Sequence, residues 1–332
     1  MSEAVEVRAN PPAKCAGSQA GYVLDWLSRY AAFSAILACL VIAAAFAPAF
    51  FNTGNLRAVL IQAAILGIVV LGQTTVVIGR GLDMSVAATM TFAAVLVSQA
   101  SLTGDYGWML LQCIVLAIGA GLANGLIIVW RGVPPFVATF AMLIVIDGAR
   151  LAYSRGQSAG SAPDWVVDLG AGSVFGIPIP VLIWLVLLVI FFFALNVTSW
   201  GRWLYAVGAN RVAARHAGVP VNTVIMTTYL ATGFMAVLAG VLLSGYVGYI
   251  DNTLGANYNL NSMAAVIVGG VAFTGGRGGV LGAAMGALLL TIMVNLLVVM
   301  RFELYWQQIV QGSVLVIAVV IQGLRQRRAD RT

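Results

Sequence analysis

Residues 178–197 read Pro178-Ile-Pro-Val-Leu-Ile-Trp-Leu-Val-Leu-Leu-Val-Ile-Phe-Phe-Phe-Ala-Leu-Asn-Val197. A helix needs roughly 20 mostly apolar residues to cross about 30 Å of hydrocarbon, and this stretch meets that length without a charge. Its two prolines sit in the first turn, where a missing N–H breaks no helical hydrogen bond. Working outward, comparable runs occupy residues 30–50, 56–79, 84–103, 107–130, 135–153, 221–248, 260–274, 279–300 and 306–324. None alternates in the manner of a membrane β-strand. The composition agrees: 61% of residues are apolar and 8% charged, where soluble domains carry about 25% charge. Lipid removes the need for a charged surface. The expected fold is an all-α, polytopic membrane helix bundle of about ten transmembrane helices. It fills residues 30–324, between an N-terminal tail at 1–29 and a basic tail at 325–332. The run 260–274 is short and contains Gly269 and Gly270; it reads either as a full span or as a broken or re-entrant helix.

Orientation follows from the basic residues, because Lys and Arg accumulate in cytoplasmic loops. With an even number of spans and both termini cytoplasmic, all but Arg57, Arg150, Arg155 and Arg301 of the 17 basic residues fall inside. The outer loops then hold Asp105, Asp164, Asp168, Asp251 and Glu303. Ala45-Phe46-Ala47 has the small-x-small form of a signal cleavage site. The polar region before it is too long for a signal peptide and the apolar run exceeds 7–15 residues, so the first span is expected to stay uncleaved.

Several chemistries are excluded. The only lysine, Lys14, follows Ala13, so the chain has no G-x-x-x-x-G-K-[ST] phosphate loop and no ATPase site of its own. The only histidine is His216, which leaves no His-rich metal site; no metal, cofactor or catalytic residue is expected. Cys15, Cys39 and Cys113 give no disulfide framework. The net charge of +6 reflects loops facing an anionic leaflet rather than nucleic acid. Ionisable groups within the spans are few, which counts against an ion-coupled secondary transporter, the competing class. Asp147 and Arg150, one near-turn apart, read as a solvated ion pair at the outer end of a helix.

Small residues recur at four-residue spacing, at Gly278, Gly282 and Gly286 and at Ala117, Gly121 and Gly125. This spacing lets helices approach closely in lipid; packing within one chain is preferred over a dimer interface or a gate. Gln62, Gln73, Thr74, Thr75, Asn124, Thr139, Thr228 and Asn295 punctuate the spans. Each taken singly reads as an interhelical hydrogen bond. As a set they suit an aqueous path for a neutral polar solute, with Gln73, Asn124, Thr139 and Asn295 as the candidates to line it.

The loop 199–220 is the most informative. Asn210 suits a helix N-cap, Arg215 and His216 suit the last turn, and Gly218 followed by Pro220 suits a left-handed stop. A short capped helix with the small residues Ala213, Ala214 and Ala217 follows, shaped to enter a groove on a partner. Trp200, Arg202 and Trp203 suit a membrane interface instead.

At this loop the chain resembles the permease subunits of the ribose, xylose and arabinose class of ATP-binding cassette importers. Tyr205-Ala-Val-Gly-Ala-Asn-Arg-Val-Ala-Ala-Arg-His-Ala-Gly-Val219 is similar to that family's A-x-G-x-N-x-x-A-A-x-x-x-G-[IV] loop. Gly208, Asn210, Ala213, Ala214 and Gly218 fall on its characteristic positions. Gly81-Leu-Asp-Met-Ser-Val86 resembles G-[IL]-D-L-S-V-G, placing Asp83 and Ser85 on the polar positions, with Ala87 in place of the last glycine. Pro134-Pro-Phe-Val-Ala-Thr139 resembles P-x-F-[IV]-x-T, followed here by Phe140-Ala141 in place of a common Leu-Gly. Gly269 to Gly282 with Trp306-Gln-Gln-Ile-Val310 resembles the C-terminal signature; branched-chain amino-acid permeases share the architecture but match this signature less well. The resemblance implies a permease of the bacterial inner membrane paired with a second permease chain, identical or similar. It further implies an ABC-type ATPase subunit docked at the 199–220 loop, and a periplasmic substrate-binding protein outside. Pentoses, hexoses, polyols and autoinducer-type sugars are the implied solutes, with nucleosides or branched-chain amino acids as alternatives.

Overall fold

The computed structural model describes residues 31–156 and 160–329. The tail at 1–29 and residues 330–332 of the basic tail lie outside the described residues. Helix α1 (Ala31–Phe46) is cut short by Pro48, which opens a 3-10 turn, Pro48–Phe51. Then come α2 (Thr53–Ile78), α3 (Val86–Thr103), α4 (Tyr106–Arg131) and α5 (Pro135–Ser154). A short helix, α6 (Asp164–Ala171), leads to a hairpin of β1 (Ser173–Val174) and β2 (Ile177–Pro178), paired antiparallel with Val174 opposite Ile177. The chain continues through α7 (Ile179–Asn196), α8 (Ser199–Ala209), α9 (Arg211–His216), α10 (Val221–Val247), α11 (Tyr258–Val268), α12 (Val280–Val299) and α13 (Leu304–Ala329).

Among the described residues, seven helices are long and apolar enough to cross a membrane: α2, α3, α4, α5, α7, α10 and α12. The protein is thus an all-α membrane helix bundle, with seven such helices set against the ten expected. The other three expected spans correspond to α1, 16 residues long as described and followed by Pro48, to the 11-residue α11, which begins at Tyr258 and stops at Gly269, and to α13.

The region around α11 is broken, part irregular backbone and part short helix. Ile250 N–H donates to Gly160 O at 3.0 Å, and Gly160 N–H donates to Ser98 Oγ at 2.6 Å, high on α3. Gly255 N–H donates to Thr91 Oγ1 at 3.1 Å, and Asn259 Oδ1 accepts from Ala87 N–H at 2.9 Å. The non-helical stretch therefore runs alongside α3 from Ser98 to Ala87, about 16 Å at 1.5 Å per residue. Helix α11 supplies about as much again before residues 269–279 return to the end of α2, where Gly276 N–H donates to Ile78 O at 2.9 Å.

Helix α2 is the axis of the bundle and is buried along almost its whole length from Ile61; α10, α12, α7 and α11 surround it. The small residues act where backbones meet. A Cβ on Gly121 would lie 2.7 Å from Leu230 Cα, so α4 and α10 touch backbone to backbone there. Cβ atoms on Gly282 and Gly286 would overlap the carbonyls of Gly269 and Ala265, seating α12 on α11. These stripes pack within one chain. Gly278 does not share the helical face expected of it: it precedes α12 and takes φ 116° in the turn. Helices α5 and α7 lie at the periphery, displaying Ile144, Val145, Val186, Val189 and Phe193.

The ion pair at the end of α5 also differs from the solvated one expected. Arg150 is buried; its Nη2 lies 3.3 Å from Asp147 Oδ1 and its Nη1 donates to Asn252 Oδ1 at 2.6 Å. The irregular stretch after α10 covers the guanidinium, a contact between segments 102 residues apart.

Candidate coupling and translocation site

Two polar assemblies stand out, and they meet at the end of α2. The first is built around the turn Gly79–Ser85 between α2 and α3. Asp83 Oδ1 accepts from Ser85 N–H at 2.9 Å and from Ser85 Oγ at 2.6 Å, an Asx-type closure that starts α3. Four helices then clamp this turn, α2 that leads into it and three from further along the chain. Gln73 Nε2 of α2 donates to Asp83 O at 2.8 Å, and Asn124 Nδ2 of α4 donates to Ser85 Oγ at 2.9 Å. Thr139 Oγ1 of α5 reaches Leu82 O at 3.3 Å while also bonding Pro135 O. Tyr229 of α10 adds its hydroxyl to Leu82 O at 3.3 Å. Gln73, Asn124 and Thr139 are fully buried, and Asp83 and Ser85 nearly so. A buried polar group without a partner costs several kcal/mol, so these contacts fix the turn among apolar helices.

Thus three of the four residues expected to line a path, and both motif positions, converge on one loop. Asn295 does not join them. It forms a reciprocal amide pair with Asn55, at 2.9 and 3.0 Å, that ties α12 to the start of α2, and Asn55 also holds Phe50 O at 2.9 Å. Gln62 bonds Tyr246 Oη at 3.1 Å, and Thr74, Thr75 and Thr228 bond carbonyls of their own helices.

The second assembly is the α8–α9 loop. Thr198 caps α8, its side chain accepting from Gly201 N–H, and Trp200 Nε1 donates to Thr227 Oγ1 at 2.8 Å. At Gly208 the helix presses on the end of α2. A Cβ there would overlap Ile78 O and lie 2.5 Å from Gly276 N, two groups already hydrogen-bonded to each other. Only glycine fits where three backbones meet. Tyr205 Oη adds a bond to Gly278 O at 2.8 Å.

Helix α9 closes at both ends in the way the sequence predicts. Asn210 Oδ1 accepts from Val212 N–H at 2.9 Å and from Ala213 N–H at 3.1 Å. At the other end Gly218 takes φ 79°, with Val219 N–H donating to Ala214 O and Gly218 N–H to Arg215 O, a Schellman closure. Ala213 faces outward and Ala214 inward at 4% exposure, so only one of the pair is free to meet a partner. Asn210→Ala is expected to cost about 1 kcal/mol of local stability. Hydrogen exchange of the Val212 and Ala213 amides should quicken about fivefold, while the spans stay protected; unchanged exchange would show that the cap contributes nothing.

Arg211 and Tyr229, which the sequence reading missed, join the assemblies. Arg211 Nη2 donates to Gly79 O at 3.0 Å and Arg80 O at 3.3 Å, placing a cation on the carbonyls just past the C-terminal end of α2. Burial lowers its pKa from the usual value, opposed by Tyr229 and assisted by Arg80. Arg80 takes a left-handed φ of 61° and its Nε donates to Thr274 O. No local motif marks Arg211 or Tyr229, since their partners lie over a hundred residues away. The run Gly156-Gln-Ser-Ala-Gly160 has the spacing of a nucleophile elbow. That motif requires a strand before its serine and a helix after it; here α5 precedes, and 157–159 lie outside the described residues.

These features suit a transport protein: irregular backbone beside α3, a clamped polar turn inside the bundle, and a capped helix braced against the end of its axis. Comparison with known proteins agrees. Residues 55–319 match the family described as branched-chain amino acid transport system / permease component, and the chain belongs to this permease family. It is 30% identical to the ribose import permease protein RbsC of Escherichia coli K12, over 91% of this chain and 95% of that one. It is 35% identical to the autoinducer 2 import system permease protein LsrC of Klebsiella pneumoniae, over 90% and 87%. It is 31% identical to the fructose import permease protein FrcC of Rhizobium meliloti, over 82% and 78%. No solved structure matches.

Proposed function

We propose that this chain is the membrane-spanning permease subunit of an ATP-driven importer that carries a sugar or sugar-like solute, a pentose, hexose or polyol, into the cytoplasm. The observation that supports this most directly is the capped helix α9. It stands at the end of the bundle with Ala213 outward, while Arg211 and Gly208 join it to the last turn of α2. A push on α9 would therefore reach the central helix and the turn clamped by Gln73, Asn124 and Thr139. The names of the relatives support a sugar as cargo.

In this reading Gly208, Asn210, Ala213, Ala214 and Gly218 form the coupling element for a separate ABC-type ATPase. Ala213 makes the contact and the others shape it. Gln73, Asn124, Thr139 and Asn295 bound the translocation path, the first three through the loop carrying Asp83 and Ser85. A second permease chain packs against this one in the lipid, and a periplasmic binding protein delivers the solute. Ten crossings with both termini cytoplasmic complete the topology: the seven long helices, α1, the broken crossing ending in α11, and α13. Impermeant labelling from outside should reach a cysteine placed at Asp168 and miss one at Arg327; the reverse would overturn the orientation.

The test of function is uptake into proteoliposomes holding this chain, its ATPase and its binding protein. Radiolabelled ribose, fructose and related sugars should enter with internal or external ATP at the ATPase face, and none should enter under a sodium or proton gradient alone. Gradient-driven uptake without ATP would assign the chain to the ion-coupled class.

A further inference from the structure

The first half of the broken crossing is the part of the molecule that the functional reading leaves without a task. Between Ile250 and Asn257 the backbone descends beside α3 without regular helical structure, and α11 begins at Tyr258. Irregular backbone at membrane depth persists only where protein buries it or water reaches it. Protein buries Ile250, Gly255 and Asn259. Thr253, Ala256 and Asn257 are exposed, and Asn261 is half-buried one turn further on. Asn257 stands at the N-cap of α11 but makes no capping bond with its side chain, so a free amide faces outward at the level of Thr91 and Ala87. Hydrocarbon does not tolerate such a group, and an apolar face of a second copy would leave it equally unpaired.

We infer that the segment Thr253–Asn261 is a water-facing wall of the solute path, with the amides of Asn257 and Asn261 as its contacts for a neutral, hydroxylated solute. An amide offers two donors and an acceptor to a hydroxyl that is itself both donor and acceptor. Thr253–Asn261 contains no Asp, Glu, Lys or Arg, so the wall itself sets no fixed charge against the solute. The identity of the solute class rests on the importer reading above; the water-facing position rests on the geometry alone.

The test is cysteine accessibility in the full chain with Cys15, Cys39 and Cys113 replaced by serine or alanine. Single cysteines are placed by Asn257→Cys, by Asn261→Cys, and by Val189→Cys on the exposed face of α7 as a lipid-facing control. A charged thiosulfonate is given access to both faces of the membrane. Asn257→Cys should react about tenfold or more faster than Val189→Cys, because only a hydrated thiol forms the reactive thiolate. Equal rates would overturn the water-facing wall. In the assembled importer, modification at Asn257→Cys should abolish sugar uptake while ATP hydrolysis persists, and uptake untouched by full modification would remove the segment from the path. Fast labelling in an assembly that carries no sugar under any condition would instead overturn the sugar assignment and keep the wall.

Discussion

Gly208→Val is expected to leave little stable permease. The new Cβ would overlap Ile78 O and crowd Gly276 N, and neither can move aside as a flexible side chain would. They are backbone atoms bonded to each other at 2.9 Å, the one at the end of the central helix and the other in the turn before α12. Admitting the side chain means parting α8 from both. Overpacking alone costs about 1–3 kcal/mol, and separating a buried backbone pair adds about 1–3 kcal/mol. Against a total stability of about 5–15 kcal/mol, the sum should lower the melting temperature in detergent by several degrees and reduce the amount in the membrane. Gly208→Ala, which adds the same Cβ, should show the same direction. The contrary result is informative: a Gly208→Ala protein that melts like the parent but loses its ATPase would make Gly208 a contact rather than a spacer.

Long helices were legible because their ends carry chemical markers. The span expected at 107–130 is α4, Tyr106–Arg131, bounded by the Asp105 cap and Gly132 in the left-handed region; that expected at 135–153 is α5, started by Pro135. Hydropathy fails where a crossing is made by polar, irregular backbone, and so the segment from Asp251 to Asn257 read as an outer loop. Polar residues within spans were visible, but not their partners. Gln73 and Asn295 look alike in sequence, yet one holds the turn at Asp83 and the other pairs with Asn55, a distinction that only the packing of distant helices makes. Arg150 read as solvated for the same reason: its cover arrives from residue 252. The caps of α9 were legible in full, since Asn210 and Gly218 act on neighbours within a few residues.

The same local geometry separates two alanines that the sequence cannot rank. Adjacent residues on a helix point about 100° apart, so Ala213 and Ala214 cannot both face a partner. Ala213→Trp places its ring in the space outside α9 and should leave folding, membrane level and melting temperature unchanged. If α9 is the ATPase contact, that ring occupies the groove meant for a methyl group. Co-purification of the ATPase should fall at least about tenfold, equivalent to about 1.4 kcal/mol, with substrate-stimulated hydrolysis and uptake lost alongside it. Ala214→Trp should behave differently. Its side chain points into the core against the α8 and α10 ends, so it should lower the melting temperature by forcing α9 off the bundle, and any loss of ATPase binding should follow from that. A chain with Ala213→Trp that binds its ATPase and transports normally would remove α9 from the coupling path, leaving a helix that rests on lipid headgroups beside Trp203 as the better account of this loop.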